Sequence, residues 1–237
     1  NRENIVRFIN EINVISSLRH PNIVLYIGAS IDKDDYYMIT EYLPRGSLFD
    51  YMRKEKSKFT EREQINIAYE MAVAINYLHS RNVVHCDLKS SNILIDDNWK
   101  IKIGDFGLSQ FIKENEYNRG KIGTPHWMAP EILKGGIYEN SSDVYSFGMI
   151  LWEILKLEIP YYGLNPYQIY NLVVKDKKIV EIPSEGHEVL IEIIKKCLEY
   201  EPHKRPSLKD IVATLEKLKN YNKNIDTNFE ELYEFLY

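Results

Sequence analysis

Val83-Val84-His85-Cys86-Asp87-Leu88-Lys89-Ser90-Ser91-Asn92-Ile93-Leu94-Ile95, followed after a polar turn by Ile101-Lys102-Ile103-Gly104-Asp105-Phe106-Gly107, sets short apolar runs beside clustered polar residues. Val83-Val84, Ile93 to Ile95 and Ile101 to Ile103 have the branched apolar composition of short strands. Asp87, Lys89 and Asn92 fall in the loop between the first two, and Asp105 comes just after the third. Folded as hairpin-like strands, these pieces bring four polar side chains to one end.

That set suits phosphoryl transfer, where positioning and neutralisation of charge do most of the work and hard oxygen ligands hold Mg²⁺. Asp105 and Asn92 are the candidate ligands. Asp87 is the candidate acceptor of a proton from an attacking hydroxyl. Lys89, two residues further along an extended loop, is placed to offset charge on the transferred group.

These residues resemble the signature of a eukaryotic-type protein kinase catalytic domain. His85-Cys86-Asp87-Leu88-Lys89 with Asn92 is similar to the catalytic loop, and Asp105-Phe106-Gly107 to the metal-binding triplet. Ala129-Pro130-Glu131 resembles the end of an activation segment. Gly123-Thr124-Pro125-His126-Trp127-Met128 and Leu88-Lys89-Ser90-Ser91-Asn92 are of the serine/threonine type and resemble the tyrosine-kinase-like group; Lys89 and Thr124-Pro125 speak against tyrosine specificity. The resemblance covers about residues 3–219. It implies ATP and Mg²⁺ as cofactors, protein substrates as partners, and an α+β fold with a mostly helical C-lobe and a partial N-lobe of one helix and a two-stranded hairpin.

Composition agrees with a folded catalytic domain. The chain has 237 residues, 44% of them hydrophobic, and a net charge of −5, which gives no reason to expect nucleic-acid or acidic-membrane binding. Its two cysteines, Cys86 and Cys197, are too few for a disulfide framework and fit a reduced, cytoplasmic setting. The longest apolar run, Val144 to Leu155, is interrupted by Glu153 and too short to span a bilayer, so it reads as a buried helix. The chain starts with Asn1 rather than Met and is expected to begin inside a longer polypeptide.

Ile5, Phe8, Ile9, Ile12, Ile15 and Leu18 recur at helical spacing, which predicts an amphipathic helix over residues 3–19. By resemblance, Glu11 on that helix is the glutamate that pairs with a strand lysine. Ile23 to Ile31 and Tyr36 to Tyr42 predict an antiparallel hairpin. The break at Leu43-Pro44-Arg45-Gly46-Ser47 then resembles an interlobe hinge. The resemblance makes Thr40 a gatekeeper, offers the backbone of Glu41 and Leu43 to adenine, and counts Leu94 among the nucleotide-binding residues. The implied division is a partial N-lobe (1–42), hinge (43–47), C-lobe (48–219) and C-terminal tail (220–237).

Thr60-Glu61-Arg62-Glu63 is a capping box opening a helix to His79, with Ile65, Ala68, Met71, Ala72, Ile75 and Leu78 inward. Residues 108–128 are polar and without periodicity and read as a mobile functional loop. Ser141-Ser142-Asp143 reads locally as a cap; by resemblance, Asp143 anchors the catalytic loop. Arg205, in Pro202-His203-Lys204-Arg205-Pro206, is implied to pair with Glu131. Helices are expected at Tyr167 to Val174, around Val189 to Leu198, and over Ser207 to Lys219 with Ser207 and Asp210 as its cap. In the tail, Phe229, Leu232, Tyr233 and Leu236 are spaced for a short helix that could dock on the domain or on a partner.

The chain departs from the family in two ways. It contains neither the glycine-rich phosphate loop nor the strand lysine, so residues 1–237 alone are expected to hold Mg²⁺-ATP weakly. Cys86 stands where many kinases carry an arginine that pairs with a phosphate, so phosphorylation at Ser109, Tyr117 or Thr124 would not be read that way. Two functions remain in view: an active serine/threonine kinase, or a catalytically silent pseudokinase acting as a binding scaffold.

Overall fold

In the computed structural model, which describes residues 2–32, 35–55, 59–111 and 123–234, the chain opens with helix α1 (Arg2–Ser16). Val14, Ile15 and Leu18 at its C-terminal end are buried, whereas Ile9, on the expected inner stripe, is 51% exposed. Only the last turns of α1 reach the main core. Strands β1 (Tyr26–Asp32) and β2 (Asp35–Thr40) form the expected antiparallel hairpin, registered from Tyr26 opposite Thr40 to Asp32 opposite Asp35. Ile27, Ile31 and Ile39 remain exposed on it. A two-stranded ribbon buries little by itself, so this end of the molecule depends on α1 for support.

After residues 41–47 come α2 (Leu48–Glu55) and α3 (Glu61–Ser80). Thr60 accepts from the Glu63 amide while the Glu63 carboxylate accepts from Thr60, so the reciprocal cap forms as its spacing predicts. All six expected inward residues of α3 are buried, with Ile67 and Ala74 besides. Beyond it lie β3 (Val83–Val84), β4 (Ile93–Ile95), β5 (Ile101–Ile103) and β6 (Gln110–Phe111). β4 pairs with β5, and β3 pairs antiparallel with β6. β6 has no sequence signal of its own; a partner strand selects its conformation. Residues 112–122, including Tyr117, lie outside the described residues.

The remaining helices are α4 (Pro130–Leu133), α5 (Asn140–Lys156), α6 (Pro166–Tyr170), α7 (Glu188–Cys197) and α8 (Leu208–Glu234). α5 is apolar nearly all round and lies at the centre of the core, where Phe147 and Ile150 are wholly buried and Trp152 donates Nε1–H to Glu181 O at 2.7 Å. Gly148 lets α7 come close: a Cβ there would meet Cys197 Cβ at 2.6 Å. Cys197 is accordingly core. α8 begins under Ser207, whose Oγ caps the Asp210 amide, but it does not stop at Lys219. No Gly or Pro follows Ser207 to end it, and the backbone stays helical to Glu234. Among the described residues, no helix is long and apolar enough to cross a membrane.

Arg205 and Glu131 meet through two parallel bonds of 2.6 and 2.8 Å, with the guanidinium also donating to Ser141, Glu199 and Tyr200 carbonyls. The Arg205 side chain is fully buried. Removing the carboxylate strands that cation, so Glu131→Ala is expected to lower unfolding free energy by about 3–5 kcal/mol. Chemical denaturation measures it; an unchanged midpoint would refute a stabilising role for the pair.

Candidate active site

The site is built on backbone already committed elsewhere. Ile93 pairs with Ile103 across β4 and β5, and Gly104 N–H donates to Asn92 O at 2.9 Å. Asn92 and Asp105 therefore emerge at the same end of the hairpin. The far edge of β5 is held by the 22–24 segment, with Ile103 N–H on Asn22 O at 2.9 Å and Val24 N–H on Ile103 O at 3.0 Å. The 85–87 loop is pinned from beneath by Asp143, 2% exposed, which accepts from the amides of His85 (2.9 Å) and Cys86 (3.2 Å) and lies 3.0 Å from His79 Nε2. His85 Nε2 reaches Gly104 O at 3.0 Å, and its ring packs on buried Phe106 at 5.1 Å. This anchoring holds Cys86 (φ 68) and Asp105 (φ 58) in left-handed backbone that side chains seldom adopt.

Lys89 Nζ donates to Asp87 Oδ2 at 2.7 Å and to Thr124 Oγ1 at 3.0 Å. Thr124 turns its amide (3.1 Å) and hydroxyl (3.0 Å) to Asp87 Oδ1. Asn92 Nδ2 donates to Asp87 O at 2.9 Å, which leaves its Oδ1 as the free acceptor. Asp87, Lys89, Asn92 and Thr124 are thus one cluster.

Asp105 is exposed, and beside it Glu11 carries a carboxyl pushed above its ordinary range, first by burial and then by the charge of Asp105. Among the described residues no cation pairs with either. Asp105 and the Asn92 amide oxygen, at the same end of the β4–β5 hairpin, are hard-oxygen donors of the kind Mg²⁺ takes. On the hinge side, Thr40 is half-buried at the end of β2 and Leu43 is buried. The Glu41 carboxylate accepts from Leu25 N–H and Lys102 Nζ, each at 2.7 Å, and the Glu41 amide donates to Leu25 O, so adenine could use only the Glu41 carbonyl. The Leu94 side chain lies beside Gly104, where a Cβ would come within 3.5 Å of it.

Residues 1–215 match the family described as protein tyrosine and serine/threonine kinase. The chain belongs to that kinase family. It is 41% identical to serine/threonine-protein kinase CTR1 of Arabidopsis thaliana over 91% of its own length and 27% of that protein's. It is 34% identical to serine/threonine-protein kinase STY17 of the same plant, covering 92% of the chain and 38% of the relative. With serine/threonine/tyrosine-protein kinase HT1, also of Arabidopsis thaliana, it shares 37% identity over 89% of the chain and 54% of the relative. The kinase chain thus spans about a quarter to a half of these relatives.

Several residues differ from their local sequence reading. Asp143 does not cap α5: Ser142 Oγ does, accepting from Glu139 N–H at 3.3 Å, while Asp143 takes the anchoring position implied by resemblance. Ser109 is fully buried and donates to His85 O at 3.0 Å, which leaves no open hydroxyl for modification. Thr124, read as a modification candidate, has its hydroxyl committed to Asp87 across 37 residues of chain, a contact with no local signal. Cys86 is buried, and burial first, then the Asp143 charge, push its thiol up, away from a reactive thiolate.

Glu11 yields a pH-dependent expectation. A carboxyl whose folded pKa is raised favours folding most at low pH, and that contribution is lost as pH rises through the folded value. Glu11→Gln should therefore raise the melting temperature of this chain at pH 7, with the gain shrinking toward pH 4. Scanning calorimetry at both pH values checks the sign; a loss of stability at pH 7 would mean an unseen cation partner.

Proposed function

We propose that the chain carries the phosphotransfer machinery of a serine/threonine protein kinase, moving the γ-phosphate of ATP to a Ser or Thr hydroxyl of a protein substrate. The observation carrying this reading is the Asp87 carboxylate, held by Lys89 and Thr124 with Asn92 on its carbonyl. Asp87 takes the hydroxyl proton as the oxygen attacks phosphorus and the β–γ bond breaks toward ADP. Lys89 offsets charge on the moving phosphoryl group. Asn92 Oδ1 and Asp105 are the groups that would hold Mg²⁺, which when bound neutralises the phosphate oxygens. Thr40, Leu43, Leu94 and the Glu41 carbonyl would receive the adenine. The serine/threonine preference rests on the Lys89–Thr124 contact and on the names of CTR1 and STY17.

Free, buried Cys86 and Cys197 support a cytoplasmic setting. The net charge of −5 supports protein rather than nucleic-acid substrates. Glu11 lacks a cation among the described residues, and no glycine-rich segment in this stretch covers the phosphates. Residues 1–237 alone are therefore expected to turn over slowly, and the scaffold reading rests on that same feature.

In a polypeptide that extends upstream of residue 1, Asp87→Asn should lower kcat by about 10²–10⁴-fold while leaving the melting temperature nearly unchanged. Assays on generic Ser/Thr and Tyr peptides read it. Equal turnover would remove Asp87 as the base, and absence of turnover in the unmodified polypeptide would favour the scaffold.

A further inference from the structure

Glu153 is an ionisable group that the phosphotransfer chemistry leaves unused. It sits on α5 with no exposed surface, beneath the turn at residues 125–127. Arg53 of α2 reaches one carboxylate oxygen through Nη2 at 3.2 Å, and the Trp127 indole donates to the other, also at 3.2 Å. Both bonds are long for charge-assisted contacts. The pairing is incomplete in a second respect: Arg53 Nε is buried without a hydrogen-bond partner, and so is Ser90 Oγ. The Arg53 side chain is 28% exposed, and its guanidinium lies 4.3 Å from the Phe49 ring, so it can leave the carboxylate without losing its apolar support.

We propose that Glu153 is the centre of a pH-sensitive clasp that fastens the Trp127 turn to α2 through Arg53. One buried carboxylate on α5 joins two elements remote in sequence: α2 by Arg53 and the 125–127 turn by Trp127. Among the described residues, Arg53 carries the only charge within ion-pair distance of Glu153. Burial pushes the Glu153 carboxyl up to about 7, against the opposing pull of Arg53 and Trp127. Above that pH the ionised carboxylate holds Arg53. Below it the neutral acid gives Arg53 no charge to pair with, the guanidinium turns to water, and Trp127 keeps a weaker acceptor. His126 titrates nearby, its ring 5.8 Å from Trp127 and its pKa lowered by burial, so it must be separated experimentally.

Gly123 to Met128 leads into Ala129-Pro130-Glu131, the end of the activation segment in the kinase reading, so there the clasp also sets how firmly that turn is held for a peptide. That consequence rests on the proposed function; the clasp itself does not, and it is tested without catalysis. Intrinsic tryptophan fluorescence of this chain is followed from about pH 5 to about pH 9, spanning the ordinary histidine value. A one-proton transition near pH 7 is expected, retained in His126→Gln and abolished in both Glu153→Gln and Trp127→Phe. A transition that survives Glu153→Gln or disappears in His126→Gln overturns the clasp, as does a flat profile. Should Glu153→Gln fail to fold, Arg53→Met serves instead: loss of the cation must move the midpoint to higher pH, and an unmoved midpoint refutes the pairing. In an active, upstream-extended polypeptide, peptide KM should rise on acidification through the same midpoint while ATP KM does not. A flat peptide KM beside a titrating fluorescence overturns only the link to substrate.

Discussion

A single carboxylate in the middle of the core holds the working loop in place. Asp143 enters from α5, the most apolar helix of the chain, and spends its lone pairs on the amides of His85 and Cys86 and on the His79 ring. Hydrogen bonds to a charged acceptor are worth about 1.5–3 kcal/mol each, enough to hold Cys86 in left-handed backbone that a non-glycine residue resists. Because α5 is itself locked against α7 by the Gly148–Cys197 contact, the loop inherits the rigidity of the whole helical body.

The other half of the site obeys a different constraint, an excess of negative charge. Asp105 and Glu11 face one another without a cation among the described residues, while the nearby Glu41 carboxylate is neutralised by Lys102. Self-sufficient pairs such as Glu41–Lys102 and Glu131–Arg205 hold structure together.

Much of this could be read along the chain wherever one element dictates its own conformation. The Thr60 capping box, the inward face of α3 and the β1–β2 pairing followed from spacing alone. The ordered set from Asp87 to Asp105 identified the family. Reading failed where a distant partner makes the choice. β6 is a strand only because β3 is beside it; Ser109 is buried only because His85 O lies over it; α8 runs past Lys219 because nothing there stops it. Ile9, read on the inner stripe, is exposed because core contact, not periodicity, decides how far along α1 the buried stripe extends.

The order of residue types along the chain carried the resemblance to the kinase family, and with it the expected fold class and the four candidate groups, since a motif is a property of neighbours. The long-range contacts around them did not follow from it. Thr124 on Asp87, Asp143 beneath His85 and Glu153 between Arg53 and Trp127 are contacts across 37, 58, 100 and 26 residues. Such contacts form only once burial has closed the intervening chain into loops, and only there does desolvation give a carboxylate its strength as an acceptor or its raised affinity for a proton.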